Sequence, residues 1–572
     1  MEFWLKLKQY RPSQNSLYIL FLLLMMLPSL ALSLTEPMNL WVKIASIMFP
    51  LSFLMLGLVI FRKPGYFFVF LFFVQLINGY QLVLLYLFNQ AVVSPDMFLT
   101  IFTSDSGESG ELMGLIWPIV LLACIIYFSA TVLGIISIFS KQKLTINFVK
   151  KCCITACFPF MLGCVTLIIN YSKGFDFSLN HDVYPVNAVY NLYFAGNKIV
   201  KTTNHLNNNK EFRFHASKPK SKVDTECSTK REVYVLMVGE TSRAANWQLY
   251  GYGRDTNPGL SDRDDLIVCT DALTEANITH KIVPMILSHA CSENFEEIYR
   301  SKSVVSAFKE AGFKTAFISN QIPDKSFIDN FRSEADTIIE LYKKEKNMPH
   351  PQDFEVVAHI DNLLKNTQES IFIVFHSYGS HFEYSQRFED EDVKYVPYKA
   401  NSFKIKNRVI LENAYDNSIR HTDRVISSII NSLEKENVIS SMLYLSDHGE
   451  DIMDDERNMF LHCAPVPTYY QLHIPFLVWF SSPYKEHYQS KYDNAVCNRT
   501  KTVGSKVVFH TVLDIASIST PFLQPEYSLV NDNYESYERF FIDEHDEPVS
   551  YIKLGMNERD LRKMRDVGIK VW

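Results

Sequence analysis

The sequence predicts a chain in two parts: a helical domain of five membrane spans, then a soluble α/β domain whose mainly parallel sheet is sandwiched by helices. Three observations predict it. The first 171 residues are mostly apolar and hold five segments long enough to span a bilayer. Apolar strand-like runs and amphipathic helix-like runs alternate through the remainder. The run Val233–Val238 is continuously apolar, as a strand buried on both faces of a parallel sheet must be, and it stops abruptly at Gly239 and Glu240.

The spans are read as Leu17–Leu34, Trp41–Phe61, Tyr66–Phe88, Leu112–Phe139 and Cys152–Tyr171, each near the roughly 20 residues a bilayer requires. Basic residues ahead of the first, with A-L-S at Ala31–Ser33, also fit a cleaved signal peptide; the four spans that follow favour an uncleaved helix. Lys6, Lys8 and Arg11 precede the first span, Arg62 and Lys63 join the second to the third, and Lys141, Lys143, Lys150 and Lys151 join the fourth to the fifth. The other loops carry Glu36, or Asp105, Glu108 and Glu111, so the positive-inside rule places the N-terminus in the cytoplasm and the C-terminal domain outside. The loop Ala91–Glu111 reads either as a solvated outer loop or as a lid meeting a polar head group.

Residues 172–230 form a connector. Tyr190, Tyr193 and Phe194 suit a short helix in the head-group layer, and the polar stretch Asn204–Lys230 reads as a linker. The soluble domain then occupies 231–572, with strands expected at Val233–Val238, Lys314–Ser319, Ile371–His376, Met442–Ser446 and Ile474–Phe480. Helices are expected at Glu297–Ala311, Phe354–Asn366, Asn417–Lys435 and Lys506–Ile518. A formal charge of −7 argues against a nucleic-acid partner. Of ten cysteines, Cys227, Cys269, Cys291, Cys463 and Cys497 fall in the later part. Their number is odd and no C-x-x-C occurs among them, which disfavours a thiolate zinc site.

In open α/β sheets ligands bind beyond the carboxyl ends of strands. Glu240 follows the first strand there. His376 ends the third, with His381 shortly after, and Asp447 and His448 follow the fourth in S-D-H-G-E, with His462 later in M-F-L-H-C. Mixed carboxylate and imidazole ligands suit a catalytic Zn²⁺, or less well Mn²⁺. Thr279, in T-E-A-N-I-T-H-K-I-V-P-M, could supply a nucleophile if a metal lowers its hydroxyl pKa. N-I-T at Asn277 and N-R-T at Asn498 also fit glycosylation acceptors, a weak signal.

The set G-E-T-S-R, L-Y-G-Y-G-R-D-T-N-P, S-D-H-G-E and a late His before H-I-P-F-L-V-W resembles the membrane-bound phosphoethanolamine transferases of Gram-negative bacteria, within the alkaline phosphatase and sulfatase superfamily. That resemblance implies a multi-pass inner-membrane enzyme, monomeric, with a periplasmic catalytic domain. It implies transfer of phosphoethanolamine from phosphatidylethanolamine to lipid A, Kdo or core sugars of lipopolysaccharide through a threonine phosphoenzyme. Carried over by position, Glu240, Thr279, Asp447 and His448 match the main zinc site, Thr279 being placed by a Pro five positions on, Pro284. His381 and His462 match the histidines that hold a second zinc or act on the leaving group. Asn320, Gln321, Lys325, Glu108 and His376 fall at substrate contacts. The chain departs from many members around Thr279, where the family's small-residue and cysteine pattern is missing. Two rivals are a glycerol-phosphate transferase of the same superfamily and a non-catalytic sulfatase-like scaffold. A sulfatase would need C-x-P-x-R, which C-A-P-V-P at Cys463 lacks.

Overall fold

A computed structural model describes residues 12–36, 38–88, 92–103, 106–209, 211–219, 231–323, 327–342, 350, 352–400 and 404–571. The chain divides into two compact units, Met1–Phe102 with Ser106–Asn197, and Thr103–Asp105 with Lys198–Trp572.

The first unit is helical: α1 (Gln14–Thr35), α2 (Leu40–Gly57), α3 (Pro64–Phe70), α4 (Phe72–Phe88), α5 (Pro95–Thr103), α6 (Ser106–Phe139) and α7 (Ile146–Ser172) are its main helices. Among the described residues four helices are long and apolar enough to cross a membrane, or five if the bent pair α3 and α4 counts as one span. That pair corrects the continuous third span expected from sequence. It bends by 69° at Leu71, which is neither Pro nor Gly, so no local signal marks the break. Small residues let backbones approach: a Cβ on Gly65 would lie 2.1 Å from the carbonyl oxygen of Gly134, so α3 can meet α6 only because Gly is there. The stretch read as an outer loop is largely helical. Pro95 starts α5, where its fixed φ is preorganised and its missing N–H costs nothing, and the Ser94 hydroxyl accepts from the Met97 amide.

The connector helix, α8 (Val186–Asn208), is longer than expected and carries on through residues read as linker. The boundary between the two units falls within it, at Asn197–Lys198, ahead of the Arg231 boundary read from sequence. Downstream, Phe214 is fully buried in the second unit's core and Ser217 bridges Ser519.

The second unit is built on a sheet of β1 (Glu232–Gly239), β2 (Leu266–Val268), β3 (Lys314–Ser319), β4 (Thr337–Glu340), β5 (Ile371–His376), β6 (Ile439–Ser446) and β7 (Phe476–Phe480), in the order β2-β7-β6-β1-β5-β3-β4. β1 runs parallel to both neighbours, as do β3, β4 and β5 to one another, whereas β7 is antiparallel to β6 and to β2. Every residue of β1, β5 and β6 is buried, which explains the apolar runs Val233–Val238, Ile371–Phe375 and Met442–Leu445 within them. The two short edge strands, β2 and β4, carry no comparable run and were not expected. The predicted helix Glu297–Ala311 is instead a 3₁₀ segment, Ser292–Tyr299, and a separate α10 (Val304–Glu310) after it; α9 (Thr279–Leu287) precedes both. The break between them is held by Glu334, whose carboxylate accepts from the Ser303 amide and from the Ser303 and Ser306 hydroxyls. α11 (Val356–Asn366), α12 (Arg408–Glu436) and α13 (Lys506–Ile515) complete the helices used below.

Register sets the site. Val238 pairs with His376 on one side, and Gly239 with Ser446 on the other, so the three central strands end level with one another. The loop Leu249–Pro258 is docked on α12. Arg254 donates to Asn413 and Asp416, while Asp255 meets Arg420 and Lys394. These contacts account for both charged residues.

Candidate active site and metal centre

Each residue of G-E-T-S-R has a separate task. Gly239 passes under Tyr444, where a Cβ would sit 2.7 Å from its hydroxyl. Glu240 is buried at the strand end. Thr241 adopts φ +59, a conformation a β-branched residue rarely enters. That turn lets its amide donate to Asp447 Oδ1 at 2.9 Å and its hydroxyl to Glu240 Oε1 at 2.8 Å. Ser242 donates its amide to the Ser446 hydroxyl and accepts from the Trp247 indole. Arg243 forks onto Asp454 at 2.7 and 2.9 Å and lies 4.5 Å over the Tyr470 ring.

Arg243 and Asp454 are almost wholly buried, at 4% and 7% side-chain exposure. Arg243→Ala would strand a buried carboxylate. We expect a loss of about 3–5 kcal/mol, read by urea denaturation; a loss under about 1 kcal/mol contradicts it.

Glu240, Asp447 and His448 offer ligand atoms that all lie within 4.8 Å of one another, and all three are buried. His448 Nε2 is 3.6 Å from Glu240 Oε1 and 3.3 Å from Asp447 Oδ2. Asp447 Oδ1 accepts from the amides of Thr241 and His448, but Oδ2 is buried without a hydrogen bond. His448 Nδ1 lies 2.9 Å from the Gly449 carbonyl and therefore carries the ring proton, leaving the Nε2 lone pair facing the carboxylates. Burial pushes this imidazole down to about 4, so it is neutral at pH 7. Two carboxylates and an imidazole lone pair aimed at one point repel unless a cation stands between them. The donor set therefore fits a divalent ion.

Thr279 opens α9, which has no side-chain cap. Its Oγ1 lies 3.1 and 3.3 Å from the two Glu240 oxygens and 3.2 Å from His448 Nε2. It is half-buried, the most accessible member of the group. The structure thus brings Glu240, Thr279, Asp447 and His448 together. The His462 ring lies 4.2 Å from that of His448, centroid to centroid, and burial pushes it down to about 4. His381 stacks on Tyr378 at 4.9 Å, and burial holds it well below the usual histidine range. His376 is buried at the end of β5. Gln321 donates to Glu240 Oε2 at 3.2 Å and to the Ser377 carbonyl, while buried Asn320 donates to Asp353 at 2.8 Å. Lys325 lies outside the described residues, as does the side chain of Glu108, which belongs to α6.

Several supporting residues escaped sequence reasoning. Asp353 accepts from the amides of Tyr378 and Gly379 and holds the loop after β5. Gly379 sits at φ +52, and a Cβ there would lie 2.5 Å from the Glu240 carbonyl. Gly379→Ala must therefore displace Glu240. We expect about 1–3 kcal/mol of strain and a metal affinity at least roughly tenfold weaker, measured by competition with a chromogenic chelator; unchanged affinity contradicts it. Glu450 is fully buried, which pushes its carboxyl up to about 8.

A family model described as Sulfatase matches residues 232–518, half of the chain. The chain belongs to the Sulfatase family. It is similar to the phosphoethanolamine transferase EptC of Escherichia coli K12, 25% identical over 340 residues, covering 57% of this chain and 58% of that protein. It is also similar to the phosphoethanolamine transferase EptA of Helicobacter pylori, 28% identical over 295 residues, 49% of this chain and 53% of that one. The chain thus spans a little over half the length of the curated relatives it matches. In structure it is similar to the integral membrane lipooligosaccharide phosphoethanolamine transferase A (EptA) of Neisseria meningitidis, with TM-score 0.70 and 22% identity over 89% of this chain and 98% of that one. The C-terminal periplasmic domain of E. coli EptC, in a complex with Zn, aligns with TM-score 0.52 and 23% identity, over 57% of this chain and 94% of that one. The two-part fold, helical membrane region plus sulfatase-like α/β domain, is therefore shared.

Proposed function

We propose that the protein transfers phosphoethanolamine from phosphatidylethanolamine to a lipopolysaccharide acceptor, a lipid A phosphate, Kdo or core sugar, through a covalent intermediate on Thr279. One observation carries this reading: a half-buried hydroxyl, Thr279 Oγ1, sits 3.1 Å from Glu240 within a converging set of buried metal-type donors. The names of its relatives EptA and EptC support it. So do the outward orientation implied by loop charges and the apolar helices, which fit a protein of the bacterial inner membrane with its second unit in the periplasm.

A Zn²⁺ held by Glu240, Thr279, Asp447 and His448 would lower the threonine hydroxyl's pKa and offset charge on phosphoryl oxygens. The chain's own residues do the rest. Thr279 Oγ1 attacks phosphorus and the bond to the diacylglycerol oxygen breaks. The uncapped N-terminus of α9 favours the negative charge that gathers there. Gln321 and the Thr241 hydroxyl hold the Glu240 carboxylate in place. His381 or His462 protonates the departing oxygen. Asn320 and His376 are assigned to the region that receives the head group, and the family resemblance gives Lys325 and Glu108 the same role. The acceptor oxygen then attacks phosphorus and releases Thr279.

Mass spectrometry of lipopolysaccharide from otherwise identical cells with and without this chain tests the reading. A phosphoethanolamine increment that requires the chain is expected. A glycerol-phosphate increment, or none, overturns it.

A further inference from the structure

Glu450 has no part in the scheme above, yet its surroundings are unusual. It is fully buried, and its carboxyl has two polar side chains near it, the Tyr384 hydroxyl and His462, neither in a close hydrogen bond. A buried acid so weakly partnered costs free energy that folding alone gives no reason to accept. The ring nitrogen facing it is His462 Nδ1, 3.8 Å from Oε1, which is also buried without a hydrogen bond. The pairing is built into the backbone. Asp451–Ile452 runs antiparallel to Phe460–Leu461, with Asp451 opposite Leu461, so Glu450 and His462 flank the same rung from opposite strands. Asp451 is tied in turn to Thr468 at 2.8 Å and Gln471 at 2.6 Å, and the Glu450 carbonyl accepts from Arg243 at 2.9 Å. The Glu450 end of the pair is thus held by the scaffold.

We infer that Glu450 is the positioning residue for His462: it takes the Nδ1 side of the ring and leaves Nε2 to serve the leaving group. Such bonds are often long before substrate binds and tighten in the complex, and a partner on one ring nitrogen sets the tautomer of the other. The inference rests on the transferase reading and chooses His462 over His381 as the acid. In that step Thr279 enters as the alkoxide, its proton already lost to solvent, and the Oγ1–phosphorus bond forms as the phosphorus–glycerol oxygen bond breaks. The single ring proton of His462, on Nε2, goes to the departing oxygen while the Glu450 carboxyl passes its own proton to Nδ1. In the second half the acceptor hydroxyl returns a proton to Nε2 as its oxygen bonds phosphorus, Nδ1 returns its proton to Glu450 and Thr279 leaves as the alkoxide, so the enzyme is restored.

The test compares two donors with full-length, metal-loaded protein in detergent: phosphatidylethanolamine, whose alkoxide leaving group needs protonation, and 4-nitrophenyl phosphoethanolamine, whose phenolate does not. E450Q is expected to lower kcat on the lipid roughly 10–100-fold with KM unchanged, and to leave the nitrophenyl rate within about threefold, since general-acid help fades with a good leaving group. In a H462A background E450Q should add nothing, because the two act as one unit. E450D, which keeps the carboxyl but retracts it, should show a smaller loss with the same donor dependence, and it serves if E450Q does not fold. Equal losses on both donors, or losses that multiply in the double variant, overturn the inference. Wild type active with E450Q at wild-type rates overturns it alone; wild type inactive on both donors overturns the transferase reading and this inference with it.

Discussion

Thr279→Ala is expected to remove transfer activity while leaving the protein folded. The side chain is half-buried at the first position of α9, so truncating it creates no core cavity. Its hydroxyl contacts with Glu240 and His448, at 3.1–3.3 Å, are worth about 1 kcal/mol, and alanine recovers part of that through its better helix propensity. The chemistry has no such substitute. Without Oγ1 there is no atom to carry the phosphoryl group, and loss of a nucleophile typically costs roughly 10³–10⁶-fold. Product formation followed by mass spectrometry, beside a thermal melt within a few degrees of wild type, checks both halves. Activity above roughly one per cent of wild type sinks the assignment, as does a wild-type intermediate trapped at any other residue.

Asp447→Asn is expected to reverse its effect on stability according to whether metal is present. In the native carboxylate, Oδ1 accepts two amides and Oδ2 faces the His448 lone pair with no hydrogen bond. An amide in its place keeps the acceptor and turns an N–H toward Nε2. The metal-free variant should therefore match the metal-free wild type or exceed it by about 1 kcal/mol. With metal the order inverts. Ligand binding stabilises by about 4 kcal/mol at a thousandfold excess over Kd, and the variant forfeits most of that along with one anionic donor. Melting curves with a chelator and with added Zn²⁺ read both signs, and elemental analysis reads occupancy. A variant less stable than wild type in chelator would show that the three donors are not in mutual repulsion, and the metal site would lose its support.

Much of the α/β domain is legible in sequence because strands buried on both faces must be apolar throughout. The residue where that run stops is then the loop that can carry ligands. Glu240 and the Asp447–His448 pair are legible this way as candidates, each directly beyond a strand end. Thr279 is not: nothing in T-E-A-N-I-T-H distinguishes that threonine, and only the spacing of the family it resembles singles it out. Its place beside Glu240 depends on how α9 packs, which no local pattern encodes. Glu450 carries no signal of its own within S-D-H-G-E, because its significance lies in a rung shared with His462. The break at Leu71 and the short edge strands β2 and β4 were invisible for a similar reason. None has a composition of its own, and tertiary packing alone selects their conformation.

The stretch Val233–Pro258 shows where the division lies. Its sequence by itself determined a buried strand, a tight exit and an acid at the sheet's edge, because hydrophobic periodicity and glycine act locally. Only the tertiary structure decided what the acid meets. Strand register sets Gly239 level with Ser446 and Val238 with His376, Thr241 turns to bridge Glu240 and Asp447, and Gly379 yields the space for Glu240. Charge convergence at a point is a property of several strand ends at once, and it exists only after they are brought side by side.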